Sequence, residues 1–182
     1  EGGMITTDDD EVAARLRGLR QWGEGEIWGS SYKMTKVQAA VGPIQLRRLD
    51  GMIASRRRLA KERSERLAGC PELTLPSEPE GYMHTYYMYT ILVSKEWAGV
   101  NRDRLIGLLS DKYGVSCGVY NRPAHQTVPF IKRHTEGQEL PVSDELGKRI
   151  FCPPIHPAMS EGDNAFISAA IWEAEEEVSR GG

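Results

Sequence analysis

The chain has 182 residues, 40% of them hydrophobic and 27% charged, and 23 Lys and Arg against 26 Asp and Glu give a formal net charge of −3. A chain of this length can bury about 70% of its unfolded surface without disulfides. It has no apolar run near the ~18 residues of a membrane span and no signal-peptide pattern, so we expect a cytoplasmic protein. Its three cysteines are widely spaced and lack Cys-x-x-Cys, which predicts free thiols and no metal site.

The first segment combines a short helix with a glycine-rich loop. Asp8, with Glu11 three residues later, matches an N-cap with a capping box, and apolar residues then recur at helical spacing. This pattern predicts a helix over 9–20. Glycines interrupt every periodicity over 23–31, which predicts a loop there.

A long helix follows in the prediction. From Thr35 to Gly69 the apolar residues repeat at helical spacing. Pro43 lies inside the pattern, and because an interior proline costs about 3 kcal/mol we expect a kink or a new helix start there. The arginines of this helix could form a nucleic-acid-binding surface or a solvated face with ion pairs along the helix. Interleaved acids and the acidic chain favour the solvated face, so we expect no nucleic-acid partner.

The remainder of the chain, from about Pro71, alternates strand and helix patterns. This order is typical of a small α+β domain, with a short sheet covered by helices. The predicted elements are a strand over 86–93, a helix that Asn101 caps and that ends at Gly114, a strand over 115–120, a coil between Pro123 and Pro129, a helix over 143–149, a strand over 150–152 and a last helix capped by Ser160 and Asp163 with a stripe of Phe166, Ile167, Ala170 and Ile171.

Candidate ligand-binding side chains form two clusters. One is His84 with the tyrosines that follow it, and the other is the segment 120–126, which contains Tyr120, Arg122 and His125. Hydroxyls, imidazoles and a guanidinium at strand ends suit a polyhydroxylated or phosphorylated ligand. The alternative is structural, since alternating tyrosines also fit a half-buried strand. No nucleophile motif or dinucleotide fingerprint is present.

Beyond these patterns, the sequence resembles the second half of the DegT family of sugar aminotransferases. The most specific blocks are Tyr-Lys-Met-Thr-x-x-Gln-Ala-Ala over 32–40 and His-Pro-x-Met-Ser over 156–160. The resemblance extends in order over nearly the whole chain. The matching blocks are 1–8, 16–20, 32–40, 45–50, 56–58, 84–86, 123–125, 140–143 and 155–160.

The resemblance implies a pyridoxal-phosphate enzyme of fold type I, of which this chain is the C-terminal portion. Residues 1–33 are then the tail of the α/β cofactor-binding large domain, 34–69 the long connecting helix, and 70–182 the small α+β domain. In the family, the lysine that forms a Schiff base with the cofactor lies shortly before the Glu-Gly-Gly that opens this sequence. We therefore assign no catalytic residue to the chain and expect it to be inactive alone, without covalently bound cofactor.

The resemblance also implies roles for particular side chains. The family pattern Asn-Tyr-Arg-Met reaches a cofactor phosphate across a dimer interface, and here it is replaced by 31–34, so Ser31 and Lys33 are the candidate cofactor contacts. A lysine keeps the charge of arginine but loses its planar two-pronged geometry. The candidate substrate contacts are His84, Tyr86, Tyr120, Arg122 and His125.

The implied reaction is transfer of an amino group from glutamate or glutamine to a keto-sugar, often nucleotide-linked, with pyridoxal 5'-phosphate as the electron sink. A homodimer is implied as well. The residues before about 30 are expected to leave apolar side chains exposed, because they would pack on the large domain. The alternative function is a non-catalytic module of the same fold that binds a sugar or a protein.

Overall fold

The computed structural model describes residues 2–181, so Glu1 of the Glu-Gly-Gly run lies outside the described residues. The chain divides into two compact units, one running up to Gly51 and the other starting at Met52. Across the described residues, no helix has the length and apolar character needed to cross a membrane. The predicted domain boundaries after 33 and 69 stay predictions.

Helix α1 of the first unit runs from Asp10 to Arg20. Its cap is Asp9, whose carboxylate accepts a hydrogen bond from the Val12 N–H at 2.9 Å, so the predicted cap at Asp8 was wrong by one residue. Both positions carry an aspartate, which is why spacing alone could not separate them. A 3₁₀ turn, Trp22–Gly25, follows the helix and occupies the start of the predicted loop.

Large apolar side chains of this unit are exposed, as predicted, although Leu16 and Leu19 of the same predicted face are half-buried. Trp28 is 94% exposed and Trp22 69%, and Val12 and Ile27 are also on the surface. Within residues 2–51 the buried positions are Gly18 and Gly23. The first unit therefore has no buried apolar core of its own among the described residues.

Helix α2 is one uninterrupted α-helix, Lys36–Leu67. Of the two alternatives expected at Pro43, a kink or a new helix start, the new start does not occur. A proline removes the hydrogen bond to the carbonyl four residues earlier, which here belongs to Ala39, and both residues are exposed. Water can serve that carbonyl, so the helix continues through the proline.

The second unit is built on a three-stranded antiparallel sheet in the order β1-β2-β3. Strand β1 is Leu73–Thr74, β2 is Ile91–Val93 and β3 is Ile150–Phe151. Leu73 pairs with Val93, and Ile91 pairs with Phe151. The helices of this unit are α3 (Val100–Tyr113), α4 (Ala124–Thr127), α5 (Pro129–His134), α6 (Pro141–Arg149) and α7 (Glu161–Arg180).

The core of the second unit joins the end of α2, the sheet, α3 and α7. Leu59 and Leu67 of α2, Phe151 of β3 and Ile171 of α7 are almost fully buried. Full burial of such a side chain contributes about 1.5–3 kcal/mol. This core holds the segments between the strands against α2.

Two ends of the predicted helices are confirmed. Ser160 and Asp163 form the capping box of α7, and Gly114 ends α3 in the left-handed conformation that glycine adopts most easily. The predicted apolar stripe of α7 is buried except for Phe166, which is 54% exposed. The predicted cap of α3 at Asn101 was wrong, because the helix starts at Val100 after Gly99.

Two predicted strands and one predicted coil differ in the structure. The strand over 86–93 is reduced to β2, and the strand over 115–120 is reduced to a single bridge between Gly118 and Cys152. The backbone carbonyls of Tyr86 and Tyr87 accept hydrogen bonds from an arginine side chain and take no strand partner. The expected coil between the two prolines forms α4, and β1 was not predicted, because two residues carry no detectable period.

Candidate functional site

A candidate site within the second unit is an open cleft of about 730 Å³. It lies where the loop before β2, the segment after α3 and the segment after β3 come together. Its lining combines a guanidinium, hydroxyls, thiols and four apolar residues, which suits a polar ligand with an apolar face. The lining residues are Arg56, Tyr87, Met88, Ser116, Cys117, Gly118, Tyr120, Asn121, Cys152, Pro153, Pro154 and Ile155.

Arg56 of α2 forms one wall of the cleft. Its Nη1 donates to the Tyr87 carbonyl at 2.7 Å and to the Tyr86 carbonyl at 3.2 Å. The guanidinium lies 5.6 Å from the centroid of the Tyr87 ring. Arg56 therefore holds the backbone of Tyr86 and Tyr87 in place and contributes a guanidinium to the wall of the cleft.

Tyr120 is the one predicted substrate contact that lines this cleft. Gly118 and Cys152 exchange backbone hydrogen bonds at 3.0 and 2.8 Å, which fastens the segment before Tyr120 to the end of β3. A Cβ at Gly118 would lie 2.0 Å from the Tyr120 ring. Any residue larger than glycine at position 118 would therefore clash with the Tyr120 ring.

The thiol of Cys117, which lines the cleft, is a poor nucleophile. Burial raises the pKa of Cys117 to about 12, against a smaller opposing effect of the Arg63 charge. Because the thiolate is the reactive form, this thiol stays protonated and inert at neutral pH. Cys152 is buried and its Sγ lies 3.5 Å from the Thr90 hydroxyl. Both cysteines line the cleft, and Cys117 does so without acting as a nucleophile at neutral pH.

The loop that carries His84 is held by Arg57 and Glu78. Arg57 forms an ion pair with Glu78 and donates to the His84 carbonyl at 2.8 Å, while Glu78 accepts from the His84 N–H at 2.6 Å. These bonds, the arginine first and the His84 N–H second, lower the pKa of Glu78 to about 2. The carboxylate raises the pKa of Arg57 in turn.

Aromatic rings continue from this loop into the core. The His84 ring lies 4.3 Å from the Tyr86 ring, and the Tyr86 ring lies 6.2 Å from the Tyr89 ring. Tyr86 has a positive φ of 48°, unusual for a residue with a side chain, and its N–H donates to His84 Nδ1 at 2.8 Å. His84 and Tyr86 therefore hold each other in place, directly before Tyr87, which lines the cleft.

The innermost ring contacts a buried cation that sequence reasoning missed. Arg63 of α2 is fully buried, its guanidinium lies 5.1 Å from the Tyr89 ring centroid, and its Nε donates to Asn164 Oδ1 at 3.0 Å. Burial lowers the pKa of Arg63 to about 10. Its position on the apolar stripe between Leu59 and Leu67 was the signal that could have distinguished it from the exposed arginines.

The other predicted histidine lies in a different place. His125 of α4 lines a separate hollow of about 450 Å³, and its Nε2 lies 2.7 Å from Asp144 Oδ1 of α6. The same carboxylate oxygen accepts from the Gln126 amide at 2.6 Å. The two predicted histidines do not share a cavity: His84 does not line the hollow of His125, and neither of them lines the open cleft.

The remaining predicted contacts are exposed. Ser31 and Lys33 belong to the first unit, and Ser31 lies at the bridge to Gln21 that follows α1. Arg122 is exposed on the segment between Tyr120 and α4. Arg56, which lines the cleft, was counted in the sequence only as part of a basic helix face.

A sequence model of the DegT/DnrJ/EryC1/StrS aminotransferase family matches residues 1–171. The chain belongs to this family. This is the same family that the sequence was found to resemble, and the aminotransferases of this family use pyridoxal phosphate.

Known relatives of this DegT-family chain are about twice as long. The dTDP-3-amino-3,4,6-trideoxy-alpha-D-glucose transaminase of Micromonospora megalomicea subsp. nigra is 30% identical over 183 residues, which cover 95% of the chain and 47% of the relative. DesV of S. venezuelae, solved in complex with a ketimine intermediate, is 28% identical with a TM-score of 0.83 and covers 94% and 46%. PseC of Helicobacter pylori, an aminotransferase involved in the biosynthesis of pseudoaminic acid, has a TM-score of 0.86 and is 17% identical. The match covers 94% of this chain and 48% of PseC and shows that the fold is shared.

Proposed function

We propose that this chain is the C-terminal part of a pyridoxal-phosphate-dependent aminotransferase that moves an amino group from glutamate or glutamine to a keto-sugar, most simply one linked to a nucleotide. The observation that carries the proposal is the family match over residues 1–171. The named relative from Micromonospora is a transaminase of a dTDP-linked sugar, which supports the nucleotide-linked substrate. The open polar cleft supports a ligand with many hydroxyls.

The chain's own residues fit one part of the cofactor. Ser31 and Lys33 are both exposed, and a hydroxyl beside an ammonium group suits a phosphate, which accepts hydrogen bonds and carries negative charge. These two residues would hold the phosphate of pyridoxal phosphate. When bound, the cofactor supplies the electron sink through which an amino group passes from donor to ketone.

The residues of the second unit bind and orient the sugar in this proposal. Arg56 holds the backbone of Tyr87 in place, and Tyr120, which also lines the cleft, offers its hydroxyl. His84 and Tyr86 lie in the neighbouring loop, which Arg57 and Glu78 hold. Arg122 offers a cation to a substrate phosphate.

Amino transfer by the product of the complete reading frame tests the proposal directly. We expect a lysine codon shortly upstream of Glu1, and we expect replacement of that lysine by alanine to abolish transfer from glutamate or glutamine to a dTDP-keto-sugar. Lys33→Ala should instead weaken binding of pyridoxal phosphate about tenfold, the loss of one hydrogen bond to a charged group, and Lys33→Arg should restore it. A start codon directly before Glu1 would overturn the proposal.

The isolated 182-residue chain provides a second measurement. With pyridoxal phosphate added, we expect no absorption from a lysine-bound cofactor and no amino transfer. Specific absorption that maps to one lysine of this chain would contradict the assignment. Sugar binding by the complete protein without any amino transfer would identify the alternative, a non-catalytic module of the same fold.

A further inference from the structure

The open cleft carries a positive charge without a matching negative one. Arg56 lines it, and among the described residues no aspartate or glutamate does. The next two arginines of α2 are both paired, Arg57 with Glu78 and Arg58 with acids of α2 and α7. Within residues 2–181 Arg56 forms no such ion pair. Because an unpaired cation in a cleft raises the local concentration of anions, the ligand of this cleft should carry negative charge.

The hydrogen bonds of Arg56 leave one edge of its guanidinium free. Nη1 donates to the carbonyls of Tyr86 and Tyr87, which holds the group in one orientation. Nε and Nη2 have no hydrogen-bond partner in the described part of the chain. These two nitrogens share an edge of the planar group, and their parallel N–H bonds match two oxygens of a carboxylate or a phosphate.

A second arginine near the cleft also lacks a counter-charge. Arg63 is fully buried, its Nε and Nη2 contact the neutral side chains of Asn164 and Met159, and its Nη1 has no partner within residues 2–181. Its charge reaches the lining residue Cys117, where it lowers the pKa of the thiol against the larger effect of burial. With its own pKa at about 10, Arg63 stays protonated at neutral pH and makes this side of the cleft more positive.

We propose that the cleft is an oxyanion site, in which a carboxylate or phosphate group of the ligand binds side-on to Nε and Nη2 of Arg56. The Ser116 hydroxyl and the Asn121 amide line the same cleft and can donate further hydrogen bonds. The inference deepens the proposed function and rests on it for the source of the anion. That reaction offers two sources, the carboxylates of the amino donor and the diphosphate of a nucleotide-linked sugar.

Oxyanion binding can be measured by NMR on the ¹⁵N-labelled chain without cofactor. Glutamate and inorganic pyrophosphate serve as probes at constant ionic strength, and glucose serves as the neutral comparison. We expect the Nε–H signal of Arg56 to shift and to saturate with at least one of the two anions, because a charged acceptor then binds this edge. A signal that responds to neither anion, or no more to an anion than to glucose, would overturn the inference.

Removing the guanidinium tests its role in binding. Arg56→Gln should weaken binding of the anionic probe at least tenfold, the loss of a hydrogen bond between charged groups. Arg66→Gln is the matched control, because Arg66 is an exposed arginine of the same helix and its loss changes the net charge equally. Equal weakening in the two variants would reveal only a general attraction of anions to positive charge and would refute the site.

A second pair of variants leaves Arg56 and its backbone contacts in place. Ser116 is exposed and lines the cleft, so either Asp or Asn can replace it without loss of a buried contact. Ser116→Asp should weaken probe binding about tenfold more than Ser116→Asn, because the added carboxylate repels the anion and competes for Arg56. Similar affinities of these two variants, which are close in shape, would contradict an anion in the cleft.

Kinetics of the complete enzyme identify the source of the anion. Arg56→Gln should raise the KM for the amino donor about tenfold if its carboxylate binds here, or the KM for the nucleotide-linked keto-sugar if its diphosphate does. Arg56→Lys keeps the charge without the two-pronged edge, so it should recover only part of the loss. An unchanged KM for both substrates, or an equal rise in both, would overturn the inference.

These measurements separate the two proposals. Probe binding that depends on Arg56, together with an absence of amino transfer by the complete protein, would contradict the proposed function and leave the oxyanion site standing. Amino transfer without probe binding or a KM effect at Arg56 would do the reverse.

Discussion

Tryptophan side chains are exposed in one of the two compact units and buried or partly buried in the other. Trp28 in the unit up to Gly51 is 94% exposed, whereas Trp97 in the unit from Met52 is 7% exposed and belongs to the core. Both units contain regular helices, so helical pattern alone does not distinguish them. The difference teaches that secondary structure and stability have separate sources here, because most of a helix's stability comes from packing of its apolar face.

Removing a buried aromatic ring should break this comparison most strongly. Phe151 pairs with Ile91 in the sheet and is fully buried, so Phe151→Ala should lower the free energy of unfolding by about 3–5 kcal/mol. Trp28→Ala should change it by less than about 0.5 kcal/mol. Urea unfolding of the two variants at low protein concentration measures both values, and similar losses would refute the comparison.

The next largest effect concerns the buried cation of the second unit. Asn164 accepts from Arg63 and donates to the Leu59 carbonyl at 3.0 Å. Asn164→Leu keeps the volume but removes both bonds, so unfolding should become easier by about 2–3 kcal/mol. Ser168→Ala, which removes one neutral hydrogen bond to the Asn164 carbonyl, is the control and should cost about 1 kcal/mol. A smaller loss of stability in Asn164→Leu than in the control would show that the hydrogen bond from buried Arg63 to Asn164 contributes little to the free energy of unfolding.

Self-association should depend on the exposed apolar residues of the first unit. If they form the predicted homodimer contact, Trp28→Ser should raise the dimer dissociation constant about tenfold or more, because aromatic residues dominate interface energies. Val100→Ser is the control, since Val100 is 81% exposed in the second unit. Sedimentation velocity over a concentration series measures both, and a wild-type chain that stays monomeric throughout would contradict the dimer.

The smallest expected effect is the response of the His84 loop to acid. The pKa of Glu78 lies at about 2, below its ordinary 4.5. The unfolded chain therefore binds more protons between these values, so the carboxylate's contribution is complete above about pH 4.5 and is lost as the pH falls toward 2. The His84 amide shift in an acid titration should report this loss, and Glu78→Gln should abolish the dependence, while Glu161→Gln should leave it unchanged.

The elements that the sequence predicted well are those fixed by neighbouring residues. The capping box of Ser160 and Asp163 and the glycine after α3 act within a few residues, so their spacing is sufficient. The aromatic segment before β2 was predicted as a strand because its composition favours one. Its carbonyls instead bond to Arg56, about 30 residues earlier, and such a distant partner leaves no trace in local periodicity.

The candidate site was predictable in the same uneven way. The histidines and tyrosines were found from residue type and from the family resemblance. The roles of Arg56 and Asp144 were not, because each depends on which side chain the fold brings to it. The burial of Arg63 was accessible from spacing, since it continues the apolar stripe from Leu59 to Leu67.

The arginine pair at 56 and 57 has a consequence for the length of the segment it holds. Arg57 binds Glu78 near one end and Arg56 binds Tyr87 at the other, so consecutive residues of one helix close the segment 78–87 into a loop. Closing a loop of about ten residues costs roughly 2 kcal/mol of chain entropy, but this cost grows slowly with length. Insertions between Glu80 and Met83 should therefore change the free energy of unfolding little. An insertion between His84 and Tyr87 would instead shift these residues relative to Arg56 and Arg57 of α2, which bind their backbone.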